Sequence, residues 1–169
     1  MLALILGFII AFMDQFTKTL IRQNMVPGEN LPVIHGFFNL TYLRNTGAVW
    51  GILQHNNEWL IILSLLVLVI IVIFYRWLTD NRYIFRVAVG CMLGGIIGNL
   101  IDRIKFGGVT DFLDFYCLTH HWPSFNLADS SICVGVIIYL ISSIWFSAAA
   151  SPDHGSTTNN KNKSALQTN

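Results

Sequence analysis

The stretch WLIILSLLVLVIIVIFY, Trp59 to Tyr75, decides the fold. It carries no charge, and Trp59 at one end with Tyr75 and Trp77 at the other are the aromatic side chains that a membrane–water boundary favours. A helix needs about 20 mostly apolar residues to cross roughly 30 Å of hydrocarbon. The run, taken from about residue 59 to 77, therefore reads as a membrane span. Working outward, comparable runs cover about 86–103, 127–147 and 2–21. The chain as a whole is expected to be an all-α polytopic membrane protein with four transmembrane helices.

The composition agrees. Of all residues, 54% are hydrophobic and 11% charged, against about 25% charged in an ordinary soluble domain. A net charge of +1 provides no basic stripe for phosphates, so nucleic acid is not an expected partner. Cys91, Cys117 and Cys133 form an odd set without CxxC spacing, which argues against a disulfide framework or a zinc–cysteine site. The first run has no Lys or Arg before it and no small-residue cleavage site after it, so it reads as a span and not as a cleaved signal.

Gly90, Gly94 and Gly98 recur every four residues along the third span, baring the backbone on one stripe that should pack closely on a neighbour. The connector with Arg76, Arg82 and Arg86 against Asp80, and the tail with Lys161 and Lys163, place those segments in the cytoplasm. The N-terminus then lies there too, and residues from about 22–58 and 102–125 lie outside. In the first outer connector, Asn39 to Leu43 is rich in β-favouring residues and precedes the turn signal Asn45-Thr46-Gly47, which predicts a small sheet on the membrane surface. Residues 1–150 read as one membrane-embedded domain. Residues 151–169 have no apolar period and are expected to be a disordered cytoplasmic tail.

A charge near the bilayer centre costs at least about 2.5–3.5 kcal/mol, so each acid in or beside a span needs a reason. Asp14 and Lys18, four apart with the acid first, can pair on one helical face in a structural role. Asn99 and Asp102, with Arg103 adjacent, make a polar corner where the third span emerges. Asn126 is a natural N-cap for the fourth span and places Asp129 in its first turn; capping explains Asn126 better than it explains Asp129. Asp111 follows Gly107-Gly108, a flexible turn able to return the chain toward the bundle and Asp129. Two neighbouring carboxylates cannot both ionise cheaply, so one keeps a proton and the pair can act as base and acid on one water. That is peptide-hydrolysis chemistry, and it calls for no metal or cofactor.

Other chemistries fit less well. His120-His121 lies near Ser130 and Ser131, but no GxSxG elbow exposes a serine. His35, His55, His120, His121 and His154 are scattered, with no HExxH pair. A non-enzymatic alternative is a small ion or proton conductor, or a scaffold, using the acids as a relay. A relay spreads ionisable groups through the membrane depth, whereas here the second span is bare and the acids gather toward one side.

The strings Asp14-Gln15-Phe16-Thr17-Lys18, Asn45-Thr46-Gly47-Ala48, Gly94-Gly95-Ile96-Ile97-Gly98-Asn99-Leu100-Ile101-Asp102-Arg103, Val109-Thr110-Asp111-Phe112 and Phe125-Asn126-Leu127-Ala128-Asp129-Ser130 together resemble the lipoprotein signal peptidase (signal peptidase II) family, over residues 1 to about 148. The resemblance implies an aspartic endopeptidase of the bacterial inner membrane that removes signal peptides from diacylglyceryl-modified prolipoproteins, cutting before the lipidated cysteine. It implies Asp111 and Asp129 as the catalytic pair. Asp14, Lys18, Asn45, Asn99, Asp102, Arg103 and Asn126 match positions that shape or brace the site, with Asn45 and Arg103 the better candidates for direct contact. It also implies four membrane helices, a small periplasmic sheet, a short periplasmic helix, lipid surroundings and inhibition by globomycin-type antibiotics. The asparagine string continues as Val49-Trp50-Gly51, bulkier than the family pattern. Asp114 stands one helical turn from Asp111, so spacing alone does not separate them, and the family motif selects Asp111.

Overall fold

The computed structural model describes residues 1–47 and 56–150, with side chains through 147. Ala48 to Gly51 of the asparagine string and the expected disordered tail lie outside the described residues. The elements run α1 (Leu2–Asn24), β1 (Asn30–Ile34), β2 (Phe38–Asn45), α2 (Asn57–Ile73), α3 (Tyr75–Thr79), α4 (Tyr83–Phe106), β3 (Val109–Cys117), β4 (His120–His121) and α5 (Leu127–Ala150).

Three helices, α1, α4 and α5, are long and apolar enough to cross a membrane, and α2 is a shorter apolar helix. The span expected at 59–77 is not continuous. Helix α2 ends at Ile73, Phe74 leaves helical geometry with ψ near 9°, and α3 begins at Tyr75. The other three helices run a few residues beyond their expected limits. Asp14 and Lys18 do not interrupt α1, because both are buried against neighbours and not presented to lipid.

Helix α4 is the central element and packs on α1, α2, α3, α5 and β3. The expected glycine stripe explains how. A Cβ added at Gly90 would meet Ala3 O at 3.0 Å, and one at Gly94 would meet Gly7 O at 2.7 Å, so α1 and α4 touch backbone to backbone. On the other side Gly135 of α5 lets Ala88 O approach in the same way. The outward faces of α1, α2 and α5 expose Phe8, Phe12, Leu66, Ile70, Ile137 and Ile144, as helices that face lipid do.

The sheet is larger than the expected patch at 39–43. Four antiparallel strands lie in the order β1-β2-β3-β4. Strand β3 forms where only a turn was expected: Gly107 ends α4 with φ 68° and the chain returns as a strand pairing with β2. Among the described residues no helix occurs in the connectors 25–56 and 107–126, so the short periplasmic helix is not found there. Ahead of α5, Phe125 pairs with Leu113 and its N–H donates to Leu113 O at 3.1 Å. That pairing sets Asn126 and the first turn of α5 beside β3.

Candidate active site

The site forms where α1, α4 and α5 meet the sheet. Helix α5 begins with donors that have no intrahelical partner, and three of these are satisfied by candidate site residues. Asp129 N donates to Asn126 Oδ1 at 3.0 Å, and Asn126 N donates to Asp129 Oδ2 at 3.2 Å, a reciprocal capping box. Ala128 N donates to Asp14 Oδ1 at 2.9 Å, across from α1. Capping therefore involves Asp129 as well as Asn126, the residue for which capping is the better explanation from sequence. One effect is to fix the orientation of the Asp129 carboxyl.

Asn126, with 0% exposure, holds the centre together. Its Nδ2 donates to Asp111 Oδ1 at 2.7 Å and to Asn99 Oδ1 at 3.2 Å. Asn99 Nδ2 in turn donates to Asp129 Oδ1 at 2.7 Å. The other Asp111 oxygen accepts from Asn45 Nδ2 at 3.0 Å. Both carboxyls are thus tied to one residue, and every remaining tie runs through an amide. Burial pushes the Asp111 carboxyl up from 3.8 to about 7, with the Asp129 charge second, against the lowering effect of the Asn45 and Asn126 hydrogen bonds and of Lys18.

Behind the amides lies an ionic layer. Lys18 Nζ donates to Asn99 Oδ1 at 2.8 Å and sits 2.8 Å from Asp14 and 3.7 Å from Asp102. All three ionic side chains are fully buried. A charge in that position survives only when paired; removing one member of such a set costs about 3–5 kcal/mol. Asp102 also accepts from Thr110 N at 2.9 Å, which docks the start of β3 beside Asp111. The expected Asp14–Lys18 pair is present, and the polar corner of Asn99 and Asp102 serves as its partner.

Arg103 and Asn45 differ from the rest. Arg103 Nη2 donates to Gly47 O at 3.2 Å, and Asn45 Oδ1 accepts from Gly47 N at 2.9 Å, so both shape the chain after β2. Arg103 Nε is buried with no partner among the described residues. Asp114 belongs elsewhere: it accepts from Asn39 Nδ2 at 2.8 Å and contacts His121 Nδ1 at 2.9 Å. The helical spacing that made it a rival to Asp111 does not apply, because both lie on strand β3, where a separation of three puts side chains on opposite faces.

Gln15, within the Asp14 to Lys18 string, also joins the ionic layer. Its Nε2 donates to Gly98 O and Asp102 Oδ1, each at 3.0 Å. The available signal was an amide beside Asp14 inside an apolar run.

A buried carboxyl with its proton affinity raised, Asp111, and a half-buried one, Asp129, held by amides at the end of an apolar helix bundle, suit a membrane protein with acid–base chemistry of the aspartic-hydrolase type. Residues 6–145 match the family model for signal peptidase (SPase) II, Peptidase_A8. The chain is 46% identical over 135 residues to "Lipoprotein signal peptidase" of Moorella thermoacetica, covering 80% of this chain and 87% of that one. It is 40% identical over 141 residues to the protein of the same name from Bacillus subtilis, covering 83% and 92%. A solved chain described as "Bacterial membrane enzyme structure by the in meso method at 2.3 A resolution" superposes with a TM-score of 0.81 at 32% identity, covering 88% of this chain and 91% of that one. The chain belongs to the signal peptidase II family, aspartic-type hydrolases of the membrane.

Proposed function

We propose that this protein removes the signal peptide from diacylglyceryl-modified prolipoproteins, cutting before the lipidated cysteine, with Asp111 and Asp129 as the catalytic pair. The observation that carries the reading is the shared tether: Asn126 donates to Asp111 from its side chain and to Asp129 from its backbone. Relatives bearing the name lipoprotein signal peptidase supply the substrate class.

In the proposed reaction Asp129 takes a proton from water as the oxygen adds to the scissile carbonyl carbon. Asp111 gives its proton to the carbonyl oxygen, leaving a neutral tetrahedral gem-diol. Asp129 then returns its proton to the nitrogen of the lipidated cysteine, the C–N bond breaks, and one hydroxyl proton goes back to Asp111. The raised proton affinity of Asp111 suits the acid role near neutral pH. Asn45, Asn99 and Asn126 hold both carboxyls in place, and the Asp14–Lys18–Asp102 layer holds the amides. Arg103 and Asn45 are assigned to substrate contact, which the unpartnered Arg103 Nε supports.

The proposed placement is the bacterial inner membrane, with four crossings counting α2, both termini cytoplasmic, and the sheet and dyad near the periplasmic face. A signal peptide and its acyl chains already lie in the bilayer, so membrane lipid is the medium of approach and globomycin-type inhibitors should compete for the same site. The buried ionisable residues Asp14, Lys18, Asp102, Asp111 and Asp114 gather at the sheet end of the bundle instead of forming a relay across it, which disfavours the conductor reading.

The test is to incubate the purified protein in lipid nanodiscs with a prolipoprotein carrying or lacking its diacylglyceryl group. Mass spectrometry should find a new N-terminal lipidated cysteine from the first and little product from the second. Equal cutting of both, or cutting at another bond, would refute the substrate assignment.

A further inference from the structure

A second polar site lies on the far face of the sheet from the dyad. A cavity of about 310 Å³ is lined by Arg22, Tyr42, Arg44, Phe106, Gly108 and Thr110. That volume falls at the lower end of the range of small-ligand sites, about 300–1,000 Å³. Side chains alternate across a strand. Asn45 on β2 and Asp111 on β3 face the dyad, while their neighbours Arg44 and Thr110 line this cavity. The cavity therefore backs onto the catalytic side without sharing its residues.

Its two arginines differ in how they are held. Arg22 is fixed: Nη1 donates to Thr110 Oγ1 at 2.9 Å and to Asp102 at 3.3 Å, and its guanidinium lies 4.5 Å from the centre of the Phe106 ring. Arg44 is exposed, and although its backbone is paired in the sheet, its side chain makes no hydrogen bond or ion pair among the described residues. The turn after α4 leaves room for it, since a Cβ at Gly107 would lie 3.0 Å from Arg44 Nη2. Charge is also out of balance here. Asp102 and Asp14 are shared by Lys18 and Arg22, which leaves the charge of Arg44 uncompensated.

We propose that this cavity binds a phosphate group, and specifically the phosphodiester of a membrane phospholipid. Guanidinium forks match phosphate oxygens in geometry and charge, with Arg22 already oriented and Arg44 free to close on the ligand. The phospholipid is favoured over free phosphate by position. Arg22 is in the last turn of α1 and Phe106 ends α4, the level where headgroups lie, and Leu20, Ile104 and Phe106 are exposed apolar side chains at those helix ends, fit to carry acyl chains. The proposal goes beyond the peptidase reading and does not depend on it.

The experiment titrates the full-length protein in neutral detergent, followed by 31P NMR, with dihexanoylphosphatidylglycerol below its micelle concentration and, separately, with inorganic phosphate. Uncharged dihexanoylglycerol serves as a competitor. The lipid should bind saturably, Arg44→Gln should weaken it roughly tenfold or more, and the uncharged competitor should displace little. Equal affinity in Arg44→Gln would overturn the site. Inorganic phosphate binding as tightly as the lipid would overturn the lipid assignment. Full displacement by the uncharged competitor would overturn the phosphate chemistry, and this arm uses only the unaltered protein, so misfolding of the variant would not shield the proposal.

Discussion

Asn126 donates its side-chain amide to Asp111 at 2.7 Å from the position at which it caps α5. The same residue therefore starts the helix that carries Asp129 and grips the strand that carries Asp111. In the proposed reaction, stability and catalysis are coupled through it.

Asn126→Ala is expected to lower both. Loss of the cap costs about 1 kcal/mol, seen as a lower melting temperature. Freed from their shared tether, the carboxyls should lose on the order of a hundredfold in kcat, the scale expected for misplacement by about 1 Å. Asn126→Ser keeps the cap oxygen but cannot reach both partners. It should recover most of the stability and little of the rate, which melting curves and peptide-cleavage kinetics can separate.

Asp111 predicts a pH dependence. Its proton is held in the folded protein up to about 7, against 3.8 for the ordinary carboxyl. The acid form required by the reaction is lost as pH rises through about 7, so kcat/KM should fall there. Linkage follows the same sign: folding binds this proton more tightly than the unfolded chain does. The associated stability is fully present below about 3.8 and is lost as pH rises through about 7. Asp111→Asn should consequently raise the melting temperature more at pH 8 than at pH 5, whereas an equal shift at both would contradict the assignment.

Gly98 provides a test of the ionic layer. A Cβ there would sit 2.5 Å from Asp14 Oδ2, so Gly98→Ala must displace the carboxylate that pairs with Lys18 and caps Ala128. The expected cost is about 1–3 kcal/mol of stability, together with reduced turnover, because Lys18 also positions Asn99. Gly135→Ala, which crowds α5 against Ala88 and Met92 of α4 and touches none of the residues of the ionic layer, should destabilise while leaving the activity of the folded fraction near normal.

Asp114→Asn should retain most activity. Its partners are Asn39 and His121, at the β4 end of the sheet, and the variant should loosen that hairpin, visible as faster amide hydrogen exchange at residues 116–121. Loss of cleavage in a folded Asp114→Asn protein would move the dyad to that residue.

Much of the architecture was legible from local pattern. The apolar runs marked α1, α4 and α5, the glycine spacing marked the face on which α1 packs, and Asn126 with Asp129 three residues later marked the start of α5. What was missed depends on partners far along the chain. Strand β3 mixes acids with apolar residues, and its pairing with β2 is visible only once residues some 70 positions apart are adjacent, as Asn39 and Asp114 are. The break at Phe74 has no proline or glycine to announce it. Gln15 and Arg22 look like interruptions at the end of a span until Gly98, Asp102 and Thr110 arrive from α4 and β3.

The most direct measurement is the single-turnover rate of prolipoprotein cleavage in nanodiscs by Asp111→Asn and Asp129→Asn, each first shown to be folded by its melting curve. An amide at 129 cannot accept the proton from water, and an amide at 111 cannot give one to the carbonyl oxygen, so each variant should fall to background while Asp114→Asn remains active. Turnover near the unaltered rate in either of the first two would contradict the account.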